Sequence, residues 1–320
     1  MEARVGAMKA RVGAMKARVG AMKARALAAA FACIALVSGC ADATTGSGHG
    51  IAVVAAENFW GSIASQLAGA KASVHSIIVN PAQDPHSYEP TASDARALAT
   101  AKLAIVNGVS YDAWASKLLA ANPTPGRLTL NIGAFLELRS GDNPHRWYDP
   151  SDVSRVADAI TADLIKLDPR QASYFKARRA AFQNRALARY HALIAAIKRR
   201  YSGIPVGASE SIFALQAPAL GLRLITPYGF MKAIAEGTEV TAQDTATAEQ
   251  QVSRRQIRVW IYNSQNATPE VQRLTALARA RGIPVVTITE TLSPASDSFQ
   301  QWQLAQLQRV ARALHRATGR

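Results

Sequence analysis

IAVVAA, residues 51–56, is the first of eight short apolar runs that decide the fold of this chain. The others are VHSIIV (74–79), LAIVNG (103–108), RLTLNI (127–132), IPVGAS (204–209), LRLITP (222–227), IRVWIYNS (257–264) and IPVVTIT (283–289). Helical patterns separate them, near 58–69, 93–101, 111–121, 151–167, 211–220, 229–236, 246–254, 269–281 and 297–317. Continuous apolar strands that alternate with helices are typical of parallel sheets covered on both faces.

The runs form two blocks, and the longest helical pattern of the chain lies between them. Asp168 and Pro169 suit an N-cap and a first helical turn. Apolar residues then mark one face at mostly i+3 and i+4 steps: Phe175, Phe182, Ala186, Tyr190, Leu193 and Ile197. The other face is basic and is interpreted as solvated. A helix of about 30 residues would span about 45 Å, the length of two lobes.

These patterns predict an α/β protein with two lobes, each with a mainly parallel sheet covered by helices, joined by one long rigid helix. The predicted divisions are an N-terminal repeat and lipoprotein signal peptide (1–40), an N-terminal lobe (41–167), a linking helix (168–201) and a C-terminal lobe (202–320). A single helical connector predicts smaller motion between lobes than several extended hinge strands would allow.

The N-terminus has the pattern of an export signal. An apolar stretch, residues 26–38, follows Lys23 and Arg25 and ends at Gly39-Cys40. It is too short to span a bilayer core, which takes roughly 20 residues, but it suits a secretory signal. Val37-Ser38-Gly39-Cys40 resembles the bacterial lipobox, which predicts lipidation of Cys40; the alternative is an ordinary signal peptide with an incidental cysteine. The protein is therefore expected in the periplasm or on the outer face of the cell membrane, held by a lipid anchor.

Ahead of the signal, the heptad ARVGAMK occurs three times, at 3–9, 10–16 and 17–23. A glycine interrupts each copy, which argues against a coiled coil. The repeat is interpreted as a tandem duplication or an upstream start, with Met22 a plausible true start.

Composition favours an exported globular protein. The chain has 37 Lys/Arg and 22 Asp/Glu, of which seven and one lie in residues 1–40, so the remainder has a net charge of about +9. Because this charge is spread along helices, nucleic-acid binding is not predicted. Both cysteines, Cys33 and Cys40, belong to the signal. Any metal site in the mature chain must therefore use histidine and carboxylate.

Two histidines lie in similar proline-bounded loops. His86 is in QDPHSYEP, residues 83–90, and His145 is in NPHRWYDP, residues 143–150. Each follows a proline, which fixes the backbone and so aims the imidazole at little entropic cost. An isolated loop histidine is usually solvated, but two of the chain's six in matching contexts favour a shared ligand.

The second block offers two carboxylates at corresponding positions. Glu210 directly follows the run 204–209, and Glu290 directly follows the run 283–289. Ligands of open parallel sheets bind outside the carboxyl ends of the strands, where all four residues are expected. Two neutral imidazoles and two carboxylates would balance a divalent cation and suit Zn²⁺ or Mn²⁺. Taken singly, each glutamate could instead be a favourable first-turn residue of a helix.

With these residues in view, the chain resembles the metal-binding lipoproteins of bacterial ABC importers for zinc and manganese, the helical-backbone cluster A-I type of solute-binding protein. The motifs that carry the resemblance are QDPHSYEP, SDARAL, NPHRWYDP, SESIF, VWIYNSQ and TITETLSP. By that likeness, His86, His145, Glu210 and Glu290 are the four metal ligands. The segment between Leu136 and His145 is short and lacks the His/Asp-rich stretch of many zinc-specific members, and the third ligand is glutamate, which the resemblance associates more with manganese. Zinc, however, binds most nitrogen and oxygen sites more tightly than manganese, so the choice between the two metals stays open.

The resemblance implies capture of a divalent metal ion between the lobes and its delivery to a membrane permease with a separate ATPase. The chain is expected to be a monomer and not an enzyme. It lacks the P-loop, the H-E-x-x-H and the G-x-S-x-G patterns. Two alternatives stay open: an exported metallohydrolase, with Asp84, Glu89 or Asp149 as nominal base, and a metal-containing adhesion lipoprotein.

Overall fold

A computed structural model describes residues 50–83 and 85–320 of the chain. The N-terminal repeat, the signal segment with Cys40, and Asp84 lie outside the described residues. No helix in the described part is long and apolar enough to cross a membrane.

The first half alternates strand and helix as the sequence predicts. Its strands are β1 (Ile51–Glu57), β2 (Ala72–Ile78), β3 (Leu103–Val106) and β4 (Leu128–Asn131). Its helices are α1 (Asn58–Ala68), α2 (Ala92–Thr100), α3 (Ala113–Ala121), the short α4 (Ile132–Phe135) and α5 (Pro150–Leu167). Asp149 caps α5, since its side chain accepts from the backbone N–H groups of Ser151 and Asp152.

The second half repeats the alternation. Its strands are β5 (Pro205–Ala208), β6 (Arg223–Leu224), β7 (Trp260–Asn263) and β8 (Val285–Ile288). Its helices, numbered after the two of the connecting segment, are α8 (Tyr228–Ala235), α9 (Ala242–Ser253), α10 (Pro269–Ala280) and α11 (Phe299–Thr318). One predicted helix is wrong: residues 211–220 form only a five-residue 3₁₀ helix, Ser211–Leu215, followed by turns. Pro218 lies where a longer helix would need a backbone donor, which proline lacks.

Each half forms one four-stranded sheet, and every strand pair is parallel. The strand orders are β2-β1-β3-β4 and β6-β5-β7-β8, which are the same topology. In both sheets the order in which the strands are added changes direction between the two central strands, β1/β3 and β5/β7. Such a switch point opens a crevice at the carboxyl ends of the strands, where ligands of open α/β sheets bind.

The segment between the halves is helical almost throughout but is not one uniform α-helix. A 3₁₀ turn (Pro169–Gln171) leads into α6 (Ala172–Ala181), then a π-helical turn (Phe182–Ala186), then α7 (Ala188–Tyr201). Asp168 accepts from the N–H of Arg170, as expected of an N-cap. The wider π turn rotates the helix, so that Leu187 is buried along with the predicted Tyr190.

One hydrophobic core contains buried residues from both sheets and from the connecting segment. Phe175, Phe182 and Tyr190 of the connecting segment share it with Trp302 of α11. A smaller cluster, which includes Val54 and Leu98, lies on the other face of the first sheet. The two halves are thus packed together along these helices, which favours a stiff cleft between the sheets.

Candidate metal centre

The two predicted histidines lie in or next to short 3₁₀ turns beyond the carboxyl ends of the first sheet. His86 is the central residue of the turn Pro85–Ser87, which follows β2. His145 immediately precedes the turn Arg146–Tyr148, between α4 and α5. The side chain of His145 is completely buried, whereas that of His86 is 21% exposed.

The two predicted carboxylates lie at the carboxyl ends of the second sheet, both fully buried. Glu210 comes two residues after β5, in extended backbone that turns directly into a 3₁₀ helix. Glu290 comes two residues after β8. The local fold therefore aims both carboxylates out of the ends of the strands and towards the histidines of the first sheet.

The structure brings all four side chains together. One ligand atom from each of the four lies within 4.8 Å of the others. His86 Nε2 is 3.4 Å from Glu290 Oε2, and His145 Nε2 is 3.6 Å from Glu210 Oε1 and 3.8 Å from Glu290 Oε2. A tetrahedral ion with bonds of about 2.0–2.2 Å separates its ligand atoms by about 3.3–3.6 Å. The cluster is thus close to the size that such an ion requires.

Asn143 fixes the orientation and the tautomer of His145. The side-chain amide of Asn143 donates to the Ser211 carbonyl at 2.7 Å, so its oxygen must face the other way. That oxygen accepts from the His145 backbone N–H at 3.0 Å and lies 2.8 Å from His145 Nδ1. The proton of the neutral ring therefore belongs on Nδ1, which leaves the Nε2 lone pair directed at the carboxylates.

His145 is neutral at physiological pH. Burial lowers its pKa to about 3, an effect that the Glu290 charge opposes and the nearby His86 reinforces. Its buried Nε2 makes no hydrogen bond among the described residues. A buried nitrogen with a lone pair and no donor partner is costly unless something else binds it. A cation would satisfy it.

Amide and hydroxyl donors hold the carboxylates. Asn263, the last residue of β7, donates one side-chain amide to both, with Nδ2 2.7 Å from Glu210 Oε2 and 2.8 Å from Glu290 Oε1. Tyr111 Oη donates to Glu290 Oε2 at 2.8 Å. The Gln265 side-chain oxygen accepts from the Glu290 backbone N–H at 2.6 Å. These bonds fix the glutamates before any ligand arrives.

The charge state of Glu290 follows from the same neighbours. Burial alone would raise its pKa, but the interactions with His86, with His145 and with the Tyr111 hydroxyl outweigh burial and lower it. The carboxylate is therefore anionic at neutral pH. With His145 neutral, the centre has negative charge in a buried place, which a divalent cation would offset.

The centre is reached from one side. A cleft of about 350 Å³ opens on His86, the least buried of the four, and is bordered by Tyr111, Asn143, Tyr228 and Lys232. Lys232 Nζ donates to the Gly141 carbonyl at 3.0 Å, which ties α8 of the second half to the loop before His145. A ligand that approaches through this cleft meets His86 first.

The sequence analysis named the four side chains that converge here, but it did not name the residues that hydrogen-bond to them: Tyr111, Asn143, Asn263 and Gln265. Asn143 and the pair Asn263/Gln265 lie inside quoted motifs, NPHRWYDP and VWIYNSQ, yet a neutral amide gives no ligand signal by itself. Of the residues nominated as a catalytic base, Glu89 is exposed and Asp149 caps α5. Asp84 lies outside the described residues.

Known proteins resemble the chain in sequence and in fold. The chain aligns with the manganese-binding lipoprotein MntA of Halalkalibacterium halodurans at 30% identity over 153 residues, 46% of this chain and 51% of that protein. It thus spans about half the length of that relative. The metal ABC transporter substrate-binding lipoprotein FimA of Streptococcus parasanguinis is 23% identical over 85% of this chain and 92% of its own length.

Among solved structures, a manganese-bound periplasmic metal-binding protein from Candidatus Liberibacter asiaticus superposes with a TM-score of 0.70. The superposition covers 82% of this chain and 98% of that one at 18% identity, which shows a shared fold. The two proteins therefore share the arrangement of two parallel four-stranded sheets covered by helices. The family described as zinc-uptake complex component A, periplasmic (ZnuA), matches residues 53–313, and the chain belongs to that family.

Proposed function

We propose that this protein captures a divalent transition-metal ion, Zn²⁺ or Mn²⁺, between its two sheets and delivers it to the permease of an ABC importer. The observation that carries the proposal is the convergence of His86, His145, Glu210 and Glu290, with ligand atoms within 4.8 Å of one another. Family membership supports it, since residues 53–313 match the zinc-uptake component. The metal is cargo in this proposal, so the site must release it as well as bind it.

The donor set matches a borderline metal ion. Imidazole nitrogen suits zinc, and carboxylate oxygen suits zinc and manganese alike. Two anionic carboxylates and two neutral imidazoles cancel the charge of a divalent ion, which removes the main cost of burying it. His86, at the end of the cleft, is the ligand placed to make the first contact and the last.

Asn263 favours zinc within this pair of metals. Because its amide holds one oxygen of each glutamate, each carboxylate presents its other oxygen to the histidines. Ligation by one oxygen apiece gives four ligands, the number that tetrahedral zinc adopts. Manganese prefers about six oxygen-rich positions, for which one or both carboxylates would have to bind through two oxygens.

Export and anchoring complete the proposal. Lipidation at Cys40 would tether the mature chain to a membrane outside the cytoplasm, where a permease takes up the ion. The relatives named as lipoproteins support this placement. The protein acts as a monomeric receptor and not as an enzyme; of the nominal bases, Glu89 is exposed and Asp149 caps α5.

Metal-dependent stability tests the function. A metal that binds only the folded state stabilises it by about 2.7 kcal/mol at a hundredfold excess over Kd. We expect the melting temperature of chelated protein to rise on addition of zinc, and less on addition of manganese, with one equivalent of metal retained after desalting. The control is the His145→Ala variant, which should lose most of the shift while still folding. An unchanged melting temperature with both metals would exclude a metal receptor.

A further inference from the structure

The last seventy residues contain an unusual excess of arginine. Residues 251–320 include ten arginines, no lysine and three acidic residues, one of which is the buried Glu290. In the described residues before 251, four of thirteen arginines form ion pairs with carboxylates, as Arg146 does with Asp152 and Arg179 with Asp158. In this segment Arg273 is paired with Glu249 and Glu270. The other nine arginines of this segment form no ion pair with any described residue.

Five of these arginines border two adjacent depressions and will be called the arginine cluster: Arg255, Arg258, Arg309, Arg312 and Arg316. The first depression, of about 100 Å³, lies beside the start of β8 and contains Arg255, Arg258 and Arg316. The second, of about 260 Å³, lies between β8 and α11 and contains Arg309, Arg312 and Arg316. Arg316 belongs to both, so the two depressions are neighbours.

The local geometry places these positive charges on one surface. Arg309, Arg312 and Arg316 follow one another at i, i+3 and i+7, which places them on one face of α11. Arg309 Nε donates to the Thr287 carbonyl of β8 at 3.2 Å, which positions its guanidinium over the sheet edge. Arg258 lies just before β7 and Arg255 just after α9, at the amino ends of the strands.

The cluster is electrostatically unfavourable as it stands. None of the five arginines forms an ion pair with any residue that the structure describes, and no acidic side chain borders either depression. Partial burial lowers the pKa of Arg309, and the neighbouring Arg312 lowers it further by repulsion. Crowded like charges destabilise a fold unless an anion neutralises them.

The backbone conformation at Arg255 also supports a function for its side chain. Its φ is +53°, in the left-handed region that favours glycine, and it lies directly after the end of α9. A residue with a side chain costs roughly 1 kcal/mol more than glycine there. The chain has arginine at this position in spite of that cost, and the side chain lines the first depression.

We propose that the arginine cluster is a binding site for phosphate groups, separate from the metal centre. Planar guanidinium groups bind phosphate oxygens through two parallel hydrogen bonds, which explains why the cluster is all arginine and has no lysine. The paired depressions suit a ligand with two or more linked or adjacent phosphates. Such groups occur on anionic phospholipid headgroups and on free polyphosphates. The site extends from the amino ends of the second sheet along the edge strand β8, and neither depression is bordered by Glu210 or Glu290.

Titration with two probes tests the site and its source of phosphate. Isothermal titration of the full mature chain with tripolyphosphate should give saturable binding that weakens as salt is raised. Flotation with phosphatidylglycerol vesicles, against phosphatidylcholine vesicles, reports the lipid source. Binding of either probe supports the site and identifies which source it uses. Binding of neither at low ionic strength overturns the proposal.

The matched variants separate a site from general positive charge. The triple change Arg309→Gln, Arg312→Gln and Arg316→Gln should weaken binding at least about tenfold, the loss of several charge-assisted contacts. A control triple with the same charge loss, Lys176→Gln, Arg185→Gln and Arg189→Gln, changes exposed residues of α6–α7 and should shift binding less than about twofold. Equal losses in both triples would mean diffuse attraction and would overturn the site.

Arg255→Gly gives a second, independent result. Because glycine adopts the positive φ without strain, the variant should melt at a higher temperature than the parent. It also loses one guanidinium from the first depression, so phosphate binding should fall severalfold. A more stable variant with unchanged phosphate binding contradicts the assignment. Zinc binding should be unchanged in every variant, which separates this result from the fate of the metal centre.

Discussion

Two pairs of buried carboxyl groups lie at the crevices of the two sheets, and they differ in charge. Glu210 and Glu290 lie two residues beyond strands of the second sheet, beside two imidazoles, with an amide and a hydroxyl as donors. Glu57 ends β1 of the first sheet and has Asp112 as its partner. Both pairs are buried, so burial alone does not distinguish them. The two pairs are distinguished by the hydrogen-bond donors that surround them.

In the first sheet, burial beside a second acid favours the protonated form of Glu57. Burial raises the pKa of Glu57 well above its usual range, and the adjacent Asp112 raises it further. Neither oxygen of Glu57 meets a hydrogen-bond donor among the described residues, so the two carboxyls can bond only when Glu57 keeps its proton. Asp112 accepts from the backbone N–H groups of Asn107 and Gly108 at 2.6 and 2.8 Å. These bonds partly offset its burial, and its pKa is raised to about 6.

The contrast shows what makes a buried carboxylate available to a metal. In the second sheet, imidazole, amide and hydroxyl groups keep the pKa of Glu290 low and the oxygens charged. In the first sheet, burial and the adjacent Asp112 raise the pKa of Glu57 and favour its uncharged form. The two sheets have the same strand topology, so the difference between the two carboxyl pairs comes from the side chains around them and not from the fold.

The largest expected effect is at Glu290. Glu290→Gln keeps the shape but removes a charge and a ligand oxygen, and the nearby imidazoles then face an uncharged amide. We expect zinc affinity to fall by roughly 100-fold or more, about 2.7 kcal/mol, measured by competition with a chelating dye. The matched control is Glu89→Gln, an exposed glutamate three residues from His86, which should change affinity less than about twofold. Similar losses in both variants would remove Glu290 from the ligand set.

A smaller effect is expected at Asn263, which separates holding a ligand from being one. Asn263→Ala frees the second oxygen of each glutamate, so the carboxylates can rotate and bind through two oxygens. Residues that orient ligands typically contribute 10–100-fold to metal affinity. We expect zinc affinity to fall about tenfold and manganese affinity to fall less, since manganese gains from extra oxygens.

Asn266→Ala is the matched control for this change. Asn266 donates to the Ile234 carbonyl and does not contact the centre. Its replacement should leave the ratio of zinc to manganese affinity as it is in the parent. If Asn263→Ala lowers both affinities equally, the amide contributes only to general order and does not select the metal.

The sequence predicts the architecture and the four candidate ligands because both depend on strongly patterned residues. Apolar runs specify the strands, and His86 and His145 lie in stiff proline loops. The π turn at Phe182–Ala186 was not predicted, since a one-residue change in helical register barely alters the apolar spacing. Asn143 and Asn263 were also missed, because their role depends on which groups the fold places opposite them.

The Glu57–Asp112 pair could not be predicted for the same reason. Fifty-five residues separate the two, and only the adjacency of β1 and β3 in the sheet brings them together. A sequence pattern shows that Glu57 ends an apolar run, as Glu210 and Glu290 do. It does not show that one of these carboxylates meets another acid while the others meet imidazoles.

The smallest effect tests the protonated pair by its pH dependence. A carboxyl whose pKa is raised in the folded state stabilises that state fully below its unfolded pKa of about 4, and this contribution is lost as pH rises through the folded value. Glu57→Gln supplies Asp112 with an amide donor that does not depend on pH. The free energy of unfolding of the variant should therefore increase relative to that of the parent as pH rises. We expect similar free energies of unfolding at pH 4 and a difference of about 1 kcal/mol in favour of the variant at pH 8, from urea unfolding of chelated protein. Zinc affinity at pH 7 should change little, because the pair does not touch the metal centre. A variant that is less stable than the parent at pH 8 would show that Glu57 is charged in the folded protein.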